Sequence, residues 1–147
     1  MYELMGLRLD ADLVVLSACE MGRGETTGGD DVVGLLRGLL AAGARAAMVS
    51  LWPVDDISTA LFMGEFYRQL NSGQPPATAL QSAQRYLSRL TKEQREQELE
   101  GLRQLIGRSP GLISNESITR HLGPTSKSSQ PPDYRHPYYW APFVLVC

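Results

Sequence analysis

Cys19 is the side chain in this sequence best suited to covalent chemistry. A thiolate attacks carbonyl carbon, and at neutral pH it needs a neighbouring base or a lowered pKa to form. The cysteine follows the apolar run Leu13-Val14-Val15-Leu16-Ser17-Ala18, and a loop rich in Gly and Thr follows it to Gly29. A strand opening into a loop is where α/β proteins place reactive groups, because the sheet fixes the position and the loop admits substrate. Backbone N–H groups of such a loop can also receive an oxyanion. The competing role is the common one for a free cysteine, a small buried apolar side chain. Glu20 does not help, since a carboxylate beside a thiol opposes its ionisation unless it points away.

A cysteine nucleophile requires a base, and the chain has two histidines. His121 lies in a stretch rich in Pro, Ser and Gly and reads as a surface residue. His136 precedes Pro137 and reads as a hydrogen-bonded structural histidine at the entrance to a strand. Asp55 and Asp56 follow a second apolar run; one of them caps a helix, and the other can face a substrate and pair with an Arg or Lys side chain. Trp52 lines the same cleft or closes the core. Cys147 reads as a packing residue. Cys19 and Arg23 are too close for a phosphatase loop, and neither cysteine has the neighbours of a metal site, so no metal and no cofactor is expected.

The elements that must position these residues follow from periodicity. Residues 1–9 offer Leu4, Leu7 and Leu9 on an amphipathic turn or two, and Leu13–Ala18 reads as a buried strand. Asp30 or Asp31 can cap a helix over Val32–Ala42, with Gly43 as its stop. Ala46–Trp52 is the next strand, ended by Pro53; strand, helix and strand make a parallel βαβ unit. A second helix runs from Asp55 or Asp56 to about Leu70, with Ile57, Ala60, Leu61, Gly64, Tyr67 and Leu70 as its stripe and Gly73 as its end. Pro75-Pro76 opens a third, with Ala79, Leu80, Ala83, Leu87 and Leu90 facing inward. Thr91-Lys92-Glu93-Gln94 has capping-box spacing and starts a charged helix to Ile106. Residues 107–135 read as a flexible insertion, and 138–147 return to strand character with Pro142 near the strand's start or on an edge.

Composition narrows the class. The chain has 147 residues, enough for one core, and 43% of them are hydrophobic, which argues against disorder. A net charge of −2 removes the electrostatic case for nucleic acid or an anionic membrane. Val32–Leu51 is apolar, but Arg37 and Arg45 interrupt it, so it reads as buried helix plus strand rather than a membrane span. The start lacks a signal peptide's pattern, and two cysteines form no disulfide framework; both features point to a cytoplasmic protein.

Several dispersed motifs, in order, resemble one family. Leu16-Ser17-Ala18-Cys19-Glu20-Met21-Gly22 is similar to the nucleophile motif of CHAT domains, caspase-like domains often fused to tetratricopeptide repeats in bacteria. The resemblance continues through 38–45, Ser50-Leu51-Trp52-Pro53-Val54-Asp55-Asp56, 66–70, 79–84 and His136-Pro137-Tyr138-Tyr139-Trp140-Ala141-Pro142-Phe143-Val144-Leu145, while 91–135 is not covered. It implies an α/β caspase-like three-layer sandwich with a mainly parallel sheet, in which residues 1–147 form the C-terminal portion of one domain and the N-terminal strands are missing. It implies cysteine endopeptidase chemistry on a protein or peptide, with Cys19 as nucleophile and Asp55 or Asp56 where related families recognise a basic side chain. The family's catalytic histidine comes from a strand upstream of the Ser-Ala-Cys strand; His136 falls in a different motif and is not that base. The expected partners are therefore a substrate protein and a tetratricopeptide-repeat region or the histidine-bearing half. The alternative is a non-catalytic remnant that pairs through an open sheet edge.

Overall fold

The computed structural model describes residues 8–16, 30–107 and 132–147. Three short strands, β1 (Val14–Leu16), β2 (Ala47–Ser50) and β3 (Phe143–Val146), form one sheet in that order. Alternation places their side chains on two faces. Leu13, Val15, Met48, Phe143 and Leu145 belong to one core, whereas Val14, Leu16, Ala47, Val49, Val144 and Val146 belong to the other. Helix α1 (Asp30–Ala41) covers the second face with Leu36 and Leu39. Helices α2 (Asp56–Asn71) and α3 (Pro76–Arg89) cover the first with Leu61, Phe62, Phe66, Ala79, Ala83 and Leu87. α4 (Lys92–Gly107) follows, and a short 3₁₀ helix, Pro137–Tyr139, leads into β3.

β1 and β2 are parallel, with Leu16 opposite Val49, as the βαβ pattern requires. β3 is antiparallel to β2, with Ser50 opposite Phe143, so the sheet is mixed and its strands are not all parallel. The cause is where the chain returns. Residues 132–142 dock beside the loop leaving β2, and a strand that starts at that end must run backwards along it. β1 is half-buried rather than buried, since among the described strands it pairs with β2 alone.

The helix boundaries follow local chemistry. Asp30 and Asp31 lie inside the first turn of α1, so neither is its cap; the preceding residues lie outside the described ones. α1 ends as expected at Gly43, with φ +106°: the Gly43 N–H donates to the Leu40 carbonyl at 3.1 Å and the Ala44 N–H to that of Leu39 at 3.1 Å. α2 ends in the same motif at Gly73, φ +85°. Its buried line is Ser58, Leu61, Phe62 and Phe66, rotated from the expected stripe, and Tyr67 is exposed. Phe62 sets that rotation by stacking on Phe143 at 4.1 Å between ring centroids. The capping box of α4 closes reciprocally: the Thr91 N–H donates to Gln94 Oε1 at 3.0 Å and the Gln94 N–H to Thr91 Oγ1 at 3.2 Å.

Glycine at 43 serves two purposes. Its φ is left-handed, and an added Cβ would collide with the Leu9 carbonyl oxygen, where residues 8–12 run beside 42–45. Gly43→Ala is expected to lower stability by about 1–3 kcal/mol. Gly64, in the exposed middle of α2 with open space around it, behaves oppositely. Gly64→Ala is expected to raise stability by about 0.5–1 kcal/mol. Urea denaturation of both variants checks the pair.

Candidate functional site

Parallel pairing of β1 and β2 makes both strands open at the same end of the sheet. Leu16, the last described residue before Cys19, therefore stands at the same end as Ser50 and the loop that follows it. Cys19 itself, the candidate nucleophile, lies outside the described residues, as does His121. What the structure describes at this end is loop 51–55 and the segment 132–142 that packs on it.

Four interactions join the two. The Leu51 N–H donates to the Pro142 carbonyl at 3.0 Å, and Trp52 Nε1 donates to the Tyr138 carbonyl at 3.0 Å. The Tyr138 hydroxyl donates to the Pro53 carbonyl at 3.0 Å, and the Trp52 and Tyr138 rings lie 6.3 Å apart. Trp52 is half-buried, while Leu51 and Tyr138 remain about half exposed at 48% and 47%, leaving an apolar rim on this edge. Trp52 is thus held by a specific hydrogen bond beside the aspartates and lies outside the buried core.

The two aspartates separate into distinct roles. Asp55 is the N-cap of α2: its Oδ1 accepts from the Ser58 N–H at 2.9 Å, and its carbonyl accepts from the Ser58 and Thr59 hydroxyls at 2.9 and 2.8 Å. The Tyr134 phenol lies near this carboxylate. Burial, and then the Asp55 charge, push the Tyr134 pKa well above the ordinary phenol range. Tyr139 is pushed up by the same causes. Asp56 sits in the first turn of α2 and is exposed, so of the pair it is the carboxylate turned toward solvent.

His136 behaves as a structural residue. Its Nδ1 accepts from the Tyr138 N–H at 3.2 Å and so caps the 3₁₀ helix. Cys147 is exposed and does not pack, contrary to expectation. Within the range 107–135 expected to form an insertion, 108–131 lie outside the described residues, whereas Tyr134 is 4% exposed and part of the main core. Tyr134 and Arg95 are the residues that sequence reasoning missed. The signal for Arg95 was its helical spacing from Leu99, which places it on the apolar line of a helix taken as solvated.

A separate groove of about 280 Å³ lies between α2, α3 and α4, lined by Leu61, Gly64, Glu65, Arg68, Tyr86 and Glu98 among others. Burial pushes Glu65 up, but hydrogen bonds from Arg68 and Gln69 outweigh it and leave its pKa below the ordinary value. Among the described residues no group of three or more His, Cys, Asp or Glu side chains could hold a metal ion, and no helix is long and apolar enough to cross a membrane.

The CHAT domain family model matches residues 1–147. This chain belongs to the CHAT domain family. The CHAT domain is also similar to Tetratricopeptide repeat protein 28 of Mus musculus, 40% identical over 81 residues, and to that of Homo sapiens, 37% identical over 81 residues. Each match covers 55% of this chain and 3% of the relative's length. Both relatives are mammalian, so they lend no support to a bacterial setting. No solved structure matches the chain.

Two outcomes follow from this geometry. Asp55→Ala removes the α2 cap and is expected to cost about 1 kcal/mol in a denaturant titration, with Asp55→Asn retaining most of it. The Asp133 carboxylate receives both Nε and Nη2 of Arg135 at 2.8 Å, and these hydrogen bonds push its pKa down to about 2 from an ordinary 3.8. A depressed native pKa means the pair stabilises fully above about pH 4 and is lost as pH falls through about 2. Carboxyl-carbon NMR should show Asp133 titrating near 2 and Arg135→Gln moving it upward.

Proposed function

We propose that this CHAT domain carries the nucleophile-bearing part of a caspase-like cysteine endopeptidase, with Cys19 as the nucleophile. The observation that carries the reading is the family match over residues 1–147, and it is supported by a parallel β1–β2 pair whose ends, Leu16 and Ser50, lie at the same end of the sheet. In the reaction a histidine takes the Cys19 proton, and the Sγ thiolate attacks the peptide carbonyl. The histidine then returns the proton to the departing amine, leaving an acyl-enzyme that water hydrolyses. His136 is engaged as a helix cap, which supports a histidine supplied from another segment or chain. Asp55 or Asp56 is the proposed carboxylate for a cationic substrate side chain, Asp56 being the more exposed of the two. Trp52 and Tyr138 would border the same substrate.

Tetratricopeptide repeats are the proposed neighbours, on the strength of the relatives' name. A second reading, an interaction module that pairs through its sheet edge, draws on the half-buried β1, which among the described strands pairs with β2 alone. The two readings part on one experiment. Residues 1–147 alone are expected to leave Arg- and Lys-containing peptides uncut, whereas a longer protein or complex supplying the histidine cuts them and loses that activity with Cys19→Ala. Cleavage by residues 1–147 alone would overturn the base assignment, and cleavage surviving Cys19→Ala would overturn the nucleophile.

A further inference from the structure

Arg95 is the buried charged side chain among the described residues, 8% exposed in the first turns of α4. Its surroundings are unusual for a guanidinium. Nη1 donates to the Pro132 carbonyl at 3.0 Å, and Cζ lies 5.9 Å from the centroid of the Tyr134 ring. Among the described residues its acidic partner is Glu96, 4.0 Å away and exposed, which contributes little. Nε has no hydrogen-bond partner among the described residues. Burying a cation is costly, and the described contacts offset that cost only in part. What Arg95 supplies instead is direction: one carbonyl and one aromatic face, both in 132–134, are held against α4.

Those residues lead to the candidate site. Tyr134 stands edge-on to Tyr139 at 5.1 Å, which in turn stands edge-on to Tyr138 at 5.3 Å, and the Tyr134 phenol lies near the Asp55 carboxylate that caps α2 through Ser58. Loop 51–55 is tied by Leu51, Trp52 and Pro53 to segment 134–142. That segment is anchored at its far end by β3 pairing and at its near end by Arg95.

We propose that Arg95 and Tyr134 are positioning residues, a strut from α4 to Asp55 that sets the place of loop 51–56 at the open end of the sheet. The strut deepens the peptidase reading and rests on it only for its effect on cleavage; the contacts themselves stand without it. Through it a partner that displaces α4 would displace the loop bearing Trp52 and Asp56.

The test uses residues 1–147 with Arg95→Met, which keeps the apolar stem, and Tyr134→Phe, which removes a single oxygen and keeps the ring under the guanidinium. Amide hydrogen exchange is read at Ser58 and Thr59, with Ala83 and Leu87 in α3 as reference. Both variants are expected to exchange roughly tenfold faster at Ser58 and Thr59 while α3 stays protected. Unchanged protection at Ser58 in both variants overturns the strut. Equal loss in α3 for Tyr134→Phe overturns it too, since that marks a general packing role. Should Arg95→Met fail to fold, Tyr134→Phe decides by itself. Exchange alone judges the strut, so an uncut peptide would count against the peptidase reading without touching this one.

Discussion

The main-chain groups of β2 have partners on both sides, β1 through parallel bonds and β3 through antiparallel ones. Its residues Ala47, Met48, Val49 and Ser50 are at most 3% exposed, so none of those groups can fall back on water. A buried N–H or C=O without a partner costs about as much as a lost hydrogen bond. The strand therefore holds only while both neighbours hold, and both sheet faces must be covered for the pairing to stay dry. Small residues such as Ala47 let α1 approach one face. Met48 fills the other against the phenylalanines of α2 and β3.

That dependence reaches the candidate site through β3. Because 132–142 enters the sheet at the end where β2 leaves it, the segment that completes the sheet also builds the wall of loop 51–55. Folding stability and site geometry thus share one set of hydrogen bonds: the Pro142 carbonyl that begins the β3 ladder accepts from Leu51, and Tyr138 one helical turn before it grips Pro53. A loop held this way is rigid where the sheet is rigid.

Much of this was legible in the residues. Gly43 and Gly73 announced their helix ends because a left-handed φ is a local property of one residue. The Thr91–Gln94 box and the Asp55 cap were equally local. The direction of β3 was not legible, since hydrophobic alternation is the same for either direction and only the return path decides. The rotation of α2 escaped for a related reason: stripes through Leu61 and Gly64 or through Phe62 and Phe66 both satisfy helical spacing, and the distant Phe143 selects between them. Tyr134 and Arg95 escaped because a buried cation facing a ring leaves no pattern in sequence beyond one residue out of place on an apolar line.

Charge at the open end of the sheet argues about chemistry independently of any motif. Two adjacent carboxylates, Asp55 and Asp56, would by themselves oppose a thiolate nearby. The N-terminus of α2 carries partial positive charge and sits at the same place, and Asp55 is turned into it, accepting from Ser58. Its charge is thereby offset by the helix end. Asp56, one residue on, keeps its carboxylate at the exposed surface. The arrangement leaves the two neighbouring carboxylates in different settings, one engaged at the helix end and one at the exposed surface.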